Sequence, residues 1–262
     1  MVSSLVWNSN TLYTAAGGTA TRTGFKERGF GAAEREVIWS DIGGTGLRVY
    51  RDTRLTAKVY EVEIWINAAS KAALDDEIPQ WEGWHRSSLG EKVLQRTTAG
   101  GDVYQLDAVA LTPVWDEQFG PHAIRVVQRY EAAFPFWRSA TETSATGDFV
   151  GATPVNVAVA NVGTEAAWAR YTVTGTVTDP KVANSLGDYV EVAVVMTGAD
   201  VLAVNCKPHA TITYNAANYY GYRTAGSKFF QVPAGTTNVT LTAASGDATF
   251  VIYWYTYKES LT

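Results

Sequence analysis

Three histidines, one cysteine and a few carboxylate pairs are the residues from which a reaction would have to be built. His85, His122 and His209 are scattered along the chain. None has the neighbours that a Ser-His-Asp relay or an H-E-x-x-H zinc site requires. Cys206 has only Lys207 beside it and reads as a small buried residue rather than an activated thiol. Asp75-Asp76 and Asp116-Glu117 are neighbours in sequence, at a helix approach and in a turn. Acid/base hydrolysis needs two carboxylates facing each other across a cleft, so these pairs read as solvated. Gly43-Gly44-Thr45-Gly46 lacks the Lys-Ser/Thr of a phosphate cradle, and Leu47-Arg48-Val49-Tyr50 after it reads as strand. Asn238-Val239-Thr240 matches a glycosylation acceptor, which means something only in a secreted chain. The expectation is a protein that is not an enzyme, with no metal and no cofactor. One stretch suits a ligand: Asn218-Tyr219-Tyr220-Gly221-Tyr222-Arg223 places aromatics beside polar groups, as sugar sites do. The plainer reading has Tyr219, Tyr220 and Tyr222 covering a sheet edge or a subunit contact.

The elements that must position these residues are mostly strands. Residues 54–67 alternate, with Tyr60, Val62, Ile64 and Ile66 on one face and Val59, Glu61, Glu63 and Trp65 on the other. Residues 122–134 do the same, with Ile124, Val126, Tyr130 and Phe134 opposite Arg125, Arg129 and Glu131. Each strand buries one face and turns the other to solvent or to another subunit. Between them the period changes: Leu74, Ile78, Trp81 and His85 recur at helical spacing. Pro79 predicts a kink or a restart there. Asp75-Asp76-Glu77 before it suits a helix start, and His85 falls at the helix edge. Residues 1–13 read as a hairpin turning at Asn8-Ser9-Asn10, 15–31 as a loop, 34–40 and 92–96 as strands, 103–115 as a strand and 116–121 as a turn.

Residues 139–150 are rich in Ser, Thr and Gly, which predicts a domain boundary there and protease nicking between Ser139 and Ala152. The division expected is 1–140, a linker at 141–152, and 153–262. The second part is all β, with strands at 155–162, 167–178, 188–196, 200–205, 211–214, 228–232, 238–242 and 249–257. Short strands with regular turns predict a sandwich.

At 262 residues, 46% hydrophobic and 18% charged, the chain is long enough for two packed domains and too apolar for disorder. A formal charge of −5 argues against nucleic-acid binding as the main activity, though not against DNA passing through a channel. A single cysteine excludes an intramolecular disulfide. No run approaches the roughly 18 apolar residues of a membrane span, and no signal peptide is visible, so folding in a reducing cytoplasm is expected.

A set of short motifs, in order, adds a resemblance. An Asn161-Val162-Gly163 turn leads into a long alternating strand, then Asp179-Pro180 and Asn184. Gly187-Asp188, Ser227-Lys228-Phe229-Phe230 and Pro233-Ala234-Gly235 follow. Upstream, Phe134-Pro135-Phe136-Trp137 closes the first half. This order resembles the distal tail proteins of siphophages, the Dit family. The resemblance implies a mainly β chain: an N-terminal domain like the tail tube with one peripheral helix, then a galectin-like β-sandwich. It also implies a hexameric ring in the virion tail, assembled in the bacterial host cytoplasm. Such a ring joins the tail tube protein to a tail hub or fibre protein around the DNA channel, with DNA only as passing cargo. Long N-terminal strands line that channel in the family, which makes Glu61, Glu63, Arg125, Arg129 and Glu131 the candidate channel-facing residues. The rival expectation is a carbohydrate-binding protein that recognises host-surface glycans.

Overall fold

The computed structural model describes residues 2–14, 22–28, 35–41, 48–55, 57–259 and 261. The chain divides into two units, Met1–Ala140 with Glu259–Thr262, and Thr141–Lys258. The first contains β1 (Val2–Trp7), β2 (Asn10–Thr14), β3 (Arg22–Arg28), β4 (Arg35–Asp41), β5 (Arg48–Leu55), β6 (Lys58–Asn67), α1 (Lys71–Trp84), β7 (Lys92–Thr98), β8 (Val103–Ala110), β9 (Val114–Gly120), β10 (Ala123–Ala132) and β11 (Trp137–Ser139). Seven strands follow the order β2-β1-β7-β8-β10-β6-β3, with β9 on β10 and β11 on β8. β4 and β5 pair as a separate hairpin.

β6 and β10 form the spine of this unit, antiparallel and unbroken from Ala123↔Asn67 to Ala132↔Lys58. The period-two pattern puts Tyr60, Val62, Ile64, Ile66, Val126 and Tyr130 on one face, all fully buried. They share a core with Leu5, Trp7, Trp81, Leu94, Leu106 and, from the far end of the chain, Leu261. Each such aliphatic side chain contributes about 1.5–3 kcal/mol by leaving water. The two ends of the strand order are stitched together by side chains. Arg22 of β3 donates to the Thr11 carbonyl of β2. Arg96 of β7 grips Glu27 of β3 with two parallel bonds of 3.1 Å. The sheet edges are thereby covered.

α1 begins at Ser70, whose hydroxyl accepts from the Ala73 amide at 3.1 Å. The helix runs continuously through Pro79. Asp75-Asp76-Glu77 therefore lies inside it and is not the start of a second helix. An internal proline costs about 3 kcal/mol; burial of Leu74 and Trp81 against the sheet offsets it.

Other expectations change as well. Arg22–Arg28, within the stretch expected as a loop, is a strand paired with β6. Its charged residues disguise it, because one of its faces meets carboxylates instead of a core. The remaining residues of that stretch, and Gly43 to Gly46, lie outside the described residues. The single strand expected at 54–67 is two, β5 and β6. The turn expected at 116–121 belongs to β9, a polar strand along β10.

The second unit contains β12 (Thr143–Val150), β13 (Val155–Asn161), β14 (Ala167–Trp168), β15 (Arg170–Thr178), β16 (Lys181–Ala183), β17 (Tyr189–Glu191), β18 (Val195–Met196), β19 (Val201–Asn205), β20 (Thr211–Tyr214), β21 (Ala217–Asn218), β22 (Gln231–Val232), β23 (Gly235–Thr242) and β24 (Ser245–Trp254). One sheet runs β12-β24-β15-β19-β20-β21 with β18 on β15; a second runs β13-β23-β16-β17; β14 and β22 form a pair. The stretch expected as a linker is mostly β12, in register with β24 from Thr143↔Trp254 to Val150↔Asp247. The reason is packing. Phe149 is buried, and Gly147 leaves just enough room for β13, since a Cβ there would stand 2.6 Å from Val155 and 2.7 Å from Val157. The two larger sheets are in face-to-face contact at that point.

Candidate functional site

The charged face of β6 and β10 lies opposite the core. Arg129 Nε donates to Glu61 at 2.8 Å, directly across the strand pair. Arg125 meets Glu63 at 3.5 Å and also contacts Asp116 of β9. Arg28 of β3 closes the network, 2.8 Å from Glu63 and 3.7 Å from Glu61. Each glutamate thus sits between two guanidiniums. The Glu63 side chain is only 5% exposed and is covered by Arg28, which is 57% exposed. Arg129 and Glu61 are direct cross-strand partners, whereas Arg125 reaches Glu63 diagonally, one pair along the ladder. Glu131 stands apart: it is exposed and has no ion-pair partner among the described residues, with Val59 opposite it. Arg28 and Asp116 were missed because their stretches carry no apolar alternation; the i, i+2 spacing of Lys26 and Arg28 was the available signal.

Behind this face is a buried polar cluster with no local signature in sequence. His85, expected at a helix edge, is 1% exposed. Its Nδ1 donates to the Trp81 carbonyl (2.8 Å) and its Nε2 accepts from the Tyr130 hydroxyl (2.9 Å). Gln128 accepts from the Trp81 indole at 3.3 Å and donates to the Leu111 carbonyl at 2.6 Å. Burial pushes the His85 imidazole down to about 4, so the neutral form persists at ordinary pH. A cleft of about 440 Å³ opens beside it, lined in part by Glu82, Arg86, Ser88 and Thr112. The ring nitrogens of His85 are already committed to the protein, so the imidazole is not a free base for the cleft. Burial likewise pushes the Cys206 thiol up to about 12, the opposite of activation. Among the described residues no three His, Cys, Asp or Glu stand close enough to hold a metal ion.

In the second unit the tyrosines do gather. Tyr219 stacks on Tyr222 with centroids 3.8 Å apart and planes 10° from parallel, and Tyr214 leans on Tyr219 at 5.3 Å. Tyr220 stacks on Phe229 at 5.8 Å, and the Arg223 guanidinium lies 5.3 Å from both rings. The loop below is fixed. Asp200 accepts from the Tyr214 hydroxyl (2.5 Å), the Asn215 amide (2.8 Å) and the Thr197 backbone (2.8 Å). These bonds, Tyr214 first, hold its carboxyl down at about 2.

The motif residues are brackets. Asn161, buried, donates to the carbonyls of Glu165 (2.9 Å), Val232 and Pro233 (3.3 Å each), and accepts from Gly163 N at 3.1 Å. A Cβ on Gly163 would lie 2.3 Å from the Tyr257 carbonyl. Asp179 holds a left-handed φ of 50° and accepts from Val194 N at 3.1 Å. Asn184 accepts from Leu186 N and Asp188 N at 3.0 Å and donates to the Gln231 carbonyl. Ser227 accepts from Glu191 N at 3.0 Å. Phe230 is buried against Tyr171. Side-chain amides and carboxylates that satisfy loop backbone in this way fix each loop in one shape.

These brackets fall within residues 162–257 or at their edge, and that segment matches the family described as siphovirus-type tail component, C-terminal domain. Over that segment the chain is similar to the C-terminal domain of that family. The fold agrees along nearly its whole length: the structure of the Dit protein of phage SPP1 superposes with a TM-score of 0.72 over 96% of this chain and 98% of that one, at 14% identity. That protein is described as a paradigm of the hub adsorption apparatus in phages that infect Gram-positive bacteria. A chain of the phage P2 baseplate, in its calcium-activated conformation, aligns more loosely, with a TM-score of 0.48 and 10% identity over 87% of this chain and 88% of that one. Comparison with curated protein sequences gave no match. The mainly β architecture of this chain agrees with that of the SPP1 protein.

Proposed function

We propose that this chain is the ring-forming distal tail protein that joins a tail tube to the tail hub around the DNA channel. The observation that carries the proposal is the match of both units, end to end, to a hub protein fold. In this reading six copies close a ring through the first unit, the second unit is a galectin-like sandwich, and the tube and hub proteins bind on either side. Rings of identical subunits also dispose of exposed sheet edges. Glu61, Glu63, Arg125 and Arg129, with Arg28 and Asp116, face the lumen. What supports this placement is the charge balance: the three arginines are matched by three carboxylates. A wall over which DNA must slide works best without free cations, because each phosphate neutralised adds affinity through released counterions.

Negative-stain images and light scattering of the purified chain test the reading. We expect six-fold rings, either alone or on addition of the tail tube protein. A stable monomer that binds neither tube nor hub protein overturns it.

A further inference from the structure

We infer that the Tyr219–Arg223 segment of the second unit is a binding site for an acidic saccharide, one that carries a carboxylate on a sugar ring. Three observations meet there. The first is open aromatic surface. Tyr222 has one face against Tyr219, yet 55% of the residue is in solvent, and Tyr220 is 42% exposed. The apolar C–H face of a pyranose can stack on such an open plate.

The second is an unmatched cation. Arg22, Arg28, Arg96, Arg125, Arg129, Arg138 and Arg170 all have carboxylate partners. Arg223 has none among the described residues; its guanidinium touches only the Tyr220 and Phe229 rings. The carboxylate nearest in register, Glu191, accepts from Thr224 Oγ1 at 3.1 Å instead. A guanidinium held flat by rings keeps its outward N–H fork, which suits a carboxylate in two-pronged geometry.

The third is a fixed frame with room in it. Tyr219 N donates to the Ile212 carbonyl (2.8 Å), Ala193 N to the Tyr222 carbonyl (2.9 Å) and Tyr220 N to Asn218 Oδ1 (3.1 Å). A Cβ on Gly221, between the rings, would meet nothing within 4 Å. Plate, cation and space are therefore preorganised, which lowers the ordering cost of binding. A single cation in a chain of net charge −5 does not suit a nucleic acid, which requires a basic surface.

The test is affinity electrophoresis of the full chain through gels containing polygalacturonate, neutral dextran or oligodeoxythymidylate. We expect saturable retardation by polygalacturonate alone, weakened ten-fold or more by Tyr222→Ala and by Arg223→Ala and kept by Tyr222→Phe. Each variant is checked by thermal melt and by ring assembly, which the site does not need, so this inference can fail while the structural role stands. No retardation by polygalacturonate overturns the site, as do alanine variants that bind like the parent. Equal retardation by dextran or by oligodeoxythymidylate overturns the acidic-sugar assignment.

Discussion

His85 gives the first unit a sensitivity to acid. Its ring is buried, with Trp81 stacked at 4.7 Å and Trp7 at 6.1 Å, and it is neutral in the fold. An unfolded histidine takes up its proton near pH 6.5; the folded one resists until about 4. The stability this confers is complete above pH 6.5 and is lost as the pH falls toward 4. By linkage the loss amounts to about 2–3 kcal/mol. The melting temperature of the first unit should therefore fall between pH 7 and pH 4.5, as read by calorimetry. His85→Gln, which keeps hydrogen-bonding groups without titrating, should flatten that fall while melting lower at pH 7. None of this could be read from the neighbourhood of His85 in sequence. Its partner Tyr130 is 45 residues away, and helical spacing locates a side chain on a face without saying what covers that face.

At the level of elements, legibility followed the contrast between the two faces of each strand. Thr211–Tyr214 and Val155–Asn161 alternate cleanly and fall where they were expected, to within a residue. β3 and β9 were lost because their outward faces are charged or polar, and β16 and β21 because two or three residues cannot show a period. β12 was lost to composition: a strand of Ser, Thr, Ala and Gly reads as a linker until its neighbour across the sandwich is known. Its pairing leads to the opposite of the cutting pattern its composition suggests. Limited proteolysis of the folded chain should spare Thr143–Val150, because its backbone is paired with β24. Gly147→Val would push against Val155 and Val157, at a cost of about 1–3 kcal/mol. The same segment should then become a cutting site, visible as a new pair of fragments on mass spectrometry.

For the whole molecule, a resemblance carried by the second half was legible beside the fold class. The reason is that the Asn, Asp, Ser and Gly brackets are set by loop geometry, which leaves fixed residue types in fixed order. The charged face was legible as two strands but not as a network, because Arg28 enters from a third. Its balance makes a prediction about genome delivery. Glu61→Lys with Glu63→Lys would remove two carboxylates from among three arginines. With the face lining the proposed lumen, phage carrying both should assemble tails normally and eject DNA more slowly. Purified mutant protein should bind duplex DNA with a steeper salt dependence than the parent, since more phosphates are neutralised. Unchanged ejection with intact tails would place the face outside the lumen.

Leu261 lies in the core of the first unit, while the whole of residues 141–258 belongs to the second. On the ribosome this reverses the usual sequence of events, in which the leading domain folds first. The sandwich can finish while the unit that precedes it still lacks a core residue. Its β1–β7 pairing, with Ser4 bonded to Thr97 93 positions away, is also slow to find because the chain between must first be looped. The nascent protein therefore carries a completed passenger on an unfinished base. That delay keeps the proposed ring-forming surfaces immature until Leu261 has emerged, and so discourages half-made subunits from joining one another.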